Sequence, residues 1–258
     1  MLVSGLRCTH CFLNNPETAD WFDILVLPKN DCIYQFECPL GHHFSVNIVY
    51  YEFQKLFESA VNALAINQYR EAVSSFSASY ERFIELFIRI TMKANMKANG
   101  IEIDAYSKAW KQISNQSERQ IGAFVVLFVL EFGIDPPLLT RKCTELRNKV
   151  IHKGYFPTEQ ECFEYGNSVL ELIRKMIRLL YNSQKHNYEL IASRNDQIDF
   201  DSSTRPNTTY YGRGTIAASS NPDGDTKTLE EMLEYAKLVP SIFSSLTPDS
   251  TGIYRLKQ

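Results

Sequence analysis

Arg147, Asn148 and His152 are the residues of this chain whose types and spacing could do chemistry. On a helix, Asn148 and His152 are four apart and share a face. Arg147 precedes the histidine by five, and its long side chain can bend round to the same rim. An imidazole trades protons near neutral pH, and a planar guanidinium matches phosphate oxygens. Converging at a helix end, these groups suit the handling of a phosphodiester. Five cations (Arg141, Lys142, Arg147, Lys149, Lys153) face one acid, Glu145, between residues 141 and 153. That local excess of +4 stands in a chain of net charge −3. Lys149 and Lys153 are the candidates for drawing in substrate phosphates. A plainer reading stands beside this one. A helix of this length can hold an arginine and a histidine by chance, and cations in a last turn complement the helix dipole.

The element that must position these groups reads as one helix of about four turns over 138–154. Pro136 and Pro137 can occupy its first turn, and Gly154 stands where a helix is commonly terminated.

A second set of chemical residues lies near the start. Cys8-Thr9-His10-Cys11 is a Cys-x-x-Cys knuckle, and Cys38-Pro39-Leu40-Gly41-His42 follows 27 residues after Cys11. Thiolates and imidazoles at such spacing are zinc ligands, and a small β unit needs such a staple to fold. The expected set is Cys8, Cys11, Cys38 and His42, with His43 and Cys32 as competitors for the last place. Buried free thiols or a redox pair are the alternative, which the second Cys/His pair disfavours. Four protein ligands leave no place for water, so such a zinc is structural, one per chain. Between the pairs, 21–27 and 33–37 read as strands joined by a turn at 28–31, and 44–51 as a closing strand.

Composition sets the limits. At 258 residues with 44% hydrophobic, the chain can bury a good-sized core. Its net charge argues against binding nucleic acid over the whole surface but permits a local basic site. No apolar leader opens MLVSGLRC. The most apolar run, 121–134, is 14 residues long and contains Glu131, too short for a bilayer. A cytoplasmic protein with no membrane span is expected. Residues 1–50 hold only Arg7 and Lys29 against five acids, which disfavours a DNA-binding ribbon.

From Glu52 the period becomes helical. Phe53, Leu56, Phe57, Ala60, Val61 and Leu64 stripe one helix, and Ala72, Val73, Phe76, Tyr80, Phe83, Ile84, Phe87 and Ile90 stripe a long one over 69–97. Shorter helices are expected over 104–114 and 118–132. After the basic helix, Thr158 and Glu161 are spaced as a capping box. Phe163, Val169, Leu170, Ile173, Met176, Ile177 and Leu180 then stripe a helix over 158–188. Residues 190–258 turn polar, and 221–224 (Asn-Pro-Asp-Gly) signals a turn. A strand or clasp is expected within 208–217 and a short helix over 228–238.

Arg147-Asn148-x-x-x-His152 at the end of a helix, among helices in this order, resembles the HEPN superfamily over about residues 50–188. Residues 69–97 resemble the long second helix of such domains, and 158–188 the helix after the motif. The resemblance implies a mainly α fold with a HEPN-like bundle at 51–189, to which the ligand spacing adds a zinc-ribbon-like domain at 1–50 and the polar composition a mostly irregular C-terminal arm with one short helix at 190–258. Many members are metal-independent endoribonucleases, often toxins or phage-defence effectors, and others are non-catalytic binding modules. For this chain it implies Arg147, Asn148 and His152 as catalytic residues and RNA as substrate. It also implies a homodimer through such helices and an antitoxin or defence-system partner. The long helix would lie across the site, so that Glu81, Arg82 or Glu85 reaches it. An ordinary solvated charged face is the alternative for those three.

Overall fold

The computed structural model describes residues 2–17, 20, 22–25, 32–195, 208–211, 227–242 and 248–256. The fold is mainly helical with a smaller β part, and each part has its own apolar core.

In the β part, β1 (Leu2–Leu6) pairs antiparallel with β2 (Phe22–Leu25), and α1 (Thr9–Asn14) leaves from Cys8 between them. β3 (Ile33–Glu37) and β4 (His43–Val49) form an antiparallel hairpin in which Glu37 faces His43 across the 38–42 turn. The sheet does not stop there. β5 (Thr208–Tyr211) runs parallel to β4, and β6 (Ile253–Arg255) runs parallel to β3, giving the order β5-β4-β3-β6. Both hairpin edges are thereby paired, and the outer edges of the sheet pass to two short strands, which blunts them. Tyr254 and Leu256 are buried with Tyr34, Phe36, Phe44, Val46 and Ile48. The strand expected over 44–51 ends at Val49, because the chain turns at Tyr50 and Tyr51 into the next helix. The turn expected at 28–31 lies outside the described residues.

The helical part begins with α2 (Glu52–Ala65) and is organised around α3 (Tyr69–Asn99), 31 residues and about 46 Å long. Every apolar position expected for α3 is buried. Around it pack α2, α4 (Ile103–Ile113), α5 (Ser117–Phe132), α6 (Arg141–Lys153), α7 (Glu159–Asn182) and α8 (Gln184–Asn195). Edge-on and stacked phenylalanines fill the seam between α3 and α5: Phe87 lies 5.0 Å from Phe124 and 5.7 Å from Phe128, centre to centre. Among the described residues no helix is long and apolar enough to cross a membrane.

Two expectations about helix ends are corrected. The basic helix starts at Arg141, because the Thr140 hydroxyl caps it by accepting from the Cys143 N–H. Pro136 and Pro137 precede it outside any helix. The helix expected to run to 188 breaks at Ser183, whose backbone is extended and whose carbonyl accepts from the N–H of His186 and Asn187, starting α8. Buried His186, 2.9 Å from Glu131, docks α8 on α5. Burial holds the His186 imidazole below its ordinary pKa, against the pull of the Glu131 carboxylate.

Where it is described, the C-terminal segment packs on its own chain. Besides β5 and β6, it supplies α9 (Leu229–Ile242), where Thr228 and Glu231 form the expected capping box. Leu229, Met232, Leu233 and Ala236 lie in the helical core against α2 and α7. The turn expected at 221–224, and residues 212–217 of the clasp, lie outside the described residues.

Close packing at α9 sets one sharp expectation. A Cβ on Gly166 of α7 would lie 2.7 Å from the Phe76 ring and 2.9 Å from Leu229 Cδ2. Phe76 and Leu229 are both fully buried and have no room to yield. Gly166→Ala should therefore cost about 1–3 kcal/mol, lowering a thermal melt by roughly 2–4 °C for each kcal/mol. An unchanged melt would contradict this packing.

Candidate functional site

Four helices converge on a groove of about 730 Å³, α7 contributing Tyr165 and the loop before α6 contributing Leu138 and Leu139. α3 lines it with Ser77, Tyr80 and Glu81, the start of α5 with Gln116, Ser117, Glu118 and Ile121, and α6 with Thr144, Arg147, Asn148 and His152. The α6 set follows from helical phase, since 144, 148 and 152 repeat every four residues. Gly154, at φ +66°, ends α6 in the left-handed conformation and leaves His152 in an exposed last turn.

Arg147 is the hub. Its Nη1 donates to Asn148 Oδ1 at 3.1 Å and lies 3.1 Å from His152 Nε2, while Nη2 donates to Glu81 Oε1 at 2.8 Å. A guanidinium only donates, so Nε2 is the acceptor in this contact and the ring proton belongs on Nδ1. The ion pair is largely shielded: the side chains of Arg147 and Glu81 are 28% and 26% exposed. The three motif residues are thus brought together, and of the acids and bases considered on α3 it is Glu81 that reaches them. Arg82 and Glu85 pair with each other instead.

Lys149 and Lys153 do not line the groove. Lys149 follows Asn148 by one residue, which rotates it by about 100°, and its Nζ lies 6.0 Å from the centre of the Tyr155 ring. Lys153 is exposed.

Tyrosines complete the groove wall, and sequence reasoning did not find their role. Tyr80 sat in an apolar stripe and reads there as core, and Tyr165 carried no signal beyond its type. Both are buried, and the Tyr165 hydroxyl lies 2.9 Å from Ser77 Oγ. Burial pushes the Tyr80 phenol up to about 12 and raises the Tyr165 phenol too, so both remain hydroxyls rather than bases. A buried tyrosine inside an apolar stripe is itself the available hint, since its hydroxyl needs a partner.

In the β part, Cys8, Cys11, Cys38 and His42 present ligand atoms that all lie within 4.8 Å of one another and could hold a metal ion. Cys11 Sγ is 3.8 Å from Cys38 Sγ, and His42 Nδ1 is 3.3 Å from Cys11 Sγ, 3.4 Å from Cys38 Sγ and 4.0 Å from Cys8 Sγ. With zinc–sulfur bonds near 2.3 Å, a tetrahedron has edges of about 3.8 Å between sulfurs and about 3.6 Å from sulfur to nitrogen. The turn is made by Gly41 at φ +79°, whose N–H donates to the Cys38 carbonyl at 2.8 Å. The competitors are placed elsewhere. His43 points outward, 4.0 Å from Glu37, and the Cys32 thiol faces Lys55.

Compared with known protein families, curated proteins and solved structures, the chain matches none.

Proposed function

We propose that the chain is a HEPN-type, metal-independent endoribonuclease acting as a toxin or defence effector. The observation that carries this reading is the convergence of Arg147, Asn148 and His152 in one groove, with the guanidinium touching the imidazole. In the proposed reaction the ribose 2′-oxygen attacks the adjacent phosphorus. His152 takes the 2′-hydroxyl proton at Nε2 once the Arg147 guanidinium has turned from that nitrogen to the phosphoryl oxygens, the phosphorus–O5′ bond breaks, and the leaving 5′-oxygen is protonated by imidazolium or water. The products are a 2′,3′-cyclic phosphate and a 5′-hydroxyl. Arg147 stabilises the charge growing on the phosphoryl oxygens, and Asn148 orients it. The nucleophile belongs to the substrate, so this route needs no metal to activate water. Lys149 and Lys153, outside the groove, attract flanking phosphates. RNA substituted with 2′-deoxyribose at the cut site should resist cleavage, and cutting of such a substrate would refute the route.

Glu81 holds Arg147 in place through the 2.8 Å ion pair. Glu81→Gln keeps a hydrogen-bond acceptor but loses the charge, so cleavage should fall by about tenfold, far less than on loss of Arg147. Wild-type rates in this variant would remove the positioning role.

A homodimer belongs to the same reading. The apolar stripe of α7 is spent inside the chain, since Val169, Leu170, Ile173, Met176, Ile177 and Leu180 are all buried. The two-fold contact is therefore proposed at the exposed apolar face of α5, formed by Val126, Val129 and Leu130, whose helix also lends Ile121 to the groove. At the four-ligand cluster we propose one structural zinc. Three thiolates and an imidazole are donors that zinc favours, and they fill a tetrahedron without leaving a position for water.

The rival reading is a non-catalytic module that binds RNA or nucleotide, or only dimerises. The satisfaction of Arg147 by three partners within its own chain fits a structural clamp equally well. It predicts binding without cleavage.

A further inference from the structure

We propose that Cys32 and Lys55 form a redox modification site, in which peroxide-oxidised Cys32 condenses with the Lys55 amine and ties the metal-bearing sheet to the helical body. Cys32 stands just before β3 and is 7% exposed, at φ +55°. Lys55, on the first helix of the helical part, is 5% exposed. Its Nζ lies 3.5 Å from Cys32 Sγ and 2.5 Å from Glu52 Oε1. Lysine is almost never buried this deeply unless it is paired, and here its ammonium is aimed at a sulfur and a carboxylate.

The other cysteines make this thiol distinctive. Cys8, Cys11 and Cys38 belong to the metal cluster. Burial pushes the Cys162 thiol up to about 12, which keeps it unreactive. Cys143 is buried and faces a hydroxyl, Ser168 Oγ at 3.6 Å. Cys32 has a lysine nitrogen within bonding approach.

The chemistry balances with hydrogen peroxide as oxidant. The Cys32 sulfur attacks one peroxide oxygen, a sulfur–oxygen bond forms, the oxygen–oxygen bond breaks, and the departing hydroxide takes the thiol proton and leaves as water. Sulfur is oxidised to the sulfenic acid and the peroxide is reduced. Glu52 then takes a proton from the Lys55 ammonium. The amine attacks the sulfenic sulfur, forming a nitrogen–sulfur bond as the sulfur–oxygen bond breaks, and the departing hydroxide leaves as water with the second nitrogen proton. Sulfenic acids condense in this way with nearby nitrogen, and thiols reverse the product. The bond would join β3 to α2 across the boundary between the two cores.

The sequence makes the test direct, because no Lys or Arg lies between Lys29 and Lys55, and the next is Arg70. The full chain, with its metal, is treated with hydrogen peroxide, digested with trypsin without reductant and mapped by mass spectrometry. Untreated protein gives peptides 30–55 and 56–70. The expected product is a single peptide 30–70, lighter by about 2 Da than the same peptide without the bridge, and reduction with dithiothreitol before digestion restores peptides 30–55 and 56–70. Lys55→Arg should abolish it. The proposal is overturned if Cys32 stays a thiol, or becomes a sulfinic acid while trypsin still cuts after Lys55. A loss of about 2 Da confined to peptide 30–55 would mean a disulfide with Cys38 and would overturn it as well. The wild-type map decides the matter even if the variant fails to fold.

Discussion

Arg147→Ala and His152→Ala should each reduce RNA cleavage by at least about 10²-fold, since general acid–base action and charge stabilisation are each worth that much. The two variants should differ in stability. His152 is exposed in the last turn of α6, so its removal should leave the melt unchanged. Arg147 ties α6 to α3 through Glu81 in a partly shielded pair. Its loss should cost about 1 kcal/mol and a few degrees of melting temperature. Arg147→Lys should fail as a catalyst too, because one ammonium cannot span Glu81, Asn148 and His152 as a planar fork does. Lys149→Ala should do less harm, since Lys149 stands outside the groove. If His152→Ala cuts RNA as fast as the wild type, the ribonuclease reading is wrong. Binding without cleavage by the wild type would put the rival module in its place.

Loss of the metal should have the largest structural effect. Structural zinc sites of this donor type contribute about 10–16 kcal/mol of apparent binding free energy, comparable to the whole stability of a domain, about 5–15 kcal/mol. Elemental analysis of protein purified without chelator should find one zinc per chain, and Cys38→Ser should lose it. The N-terminal hairpin should then unfold. Because β5 and β6 pair with that hairpin, and Tyr254 and Leu256 share its core, the C-terminal strands should become protease-sensitive together with it. Helical circular dichroism should change little. Cleavage should fall slowly or in part, since every groove residue belongs to the helical part or its connecting loop. Zinc-free protein whose termini still resist protease would contradict the stapling role.

The sequence by itself determined whatever depends on neighbours a few residues apart. Helical periodicity placed α2, α3 and α7 and named their buried faces, because a 3.6-residue repeat is written locally. The spacing of Cys8, Cys11, Cys38 and His42 marked the cluster of four ligand atoms that could hold a metal ion, and the four-residue step from Asn148 to His152 marked one face of α6. Helix ends were less legible where one residue decided them, by a capping side chain at Thr140 and by an extended backbone at Ser183. Only the tertiary structure decided which charge on α3 meets Arg147: Glu81, Arg82 and Glu85 look alike in sequence, and the crossing of α3 over α6 selects Glu81. It also decided that His42 rather than His43 turns inward, since neighbours on either side of a turn differ in direction and not in chemistry. The fate of the C-terminal strands was the least legible. Thr208–Tyr211 and Ile253–Arg255 are short segments whose partners lie more than 150 residues away. Strand pairing is a contact between backbones, and a segment of three or four residues carries no mark of the edge it will complete.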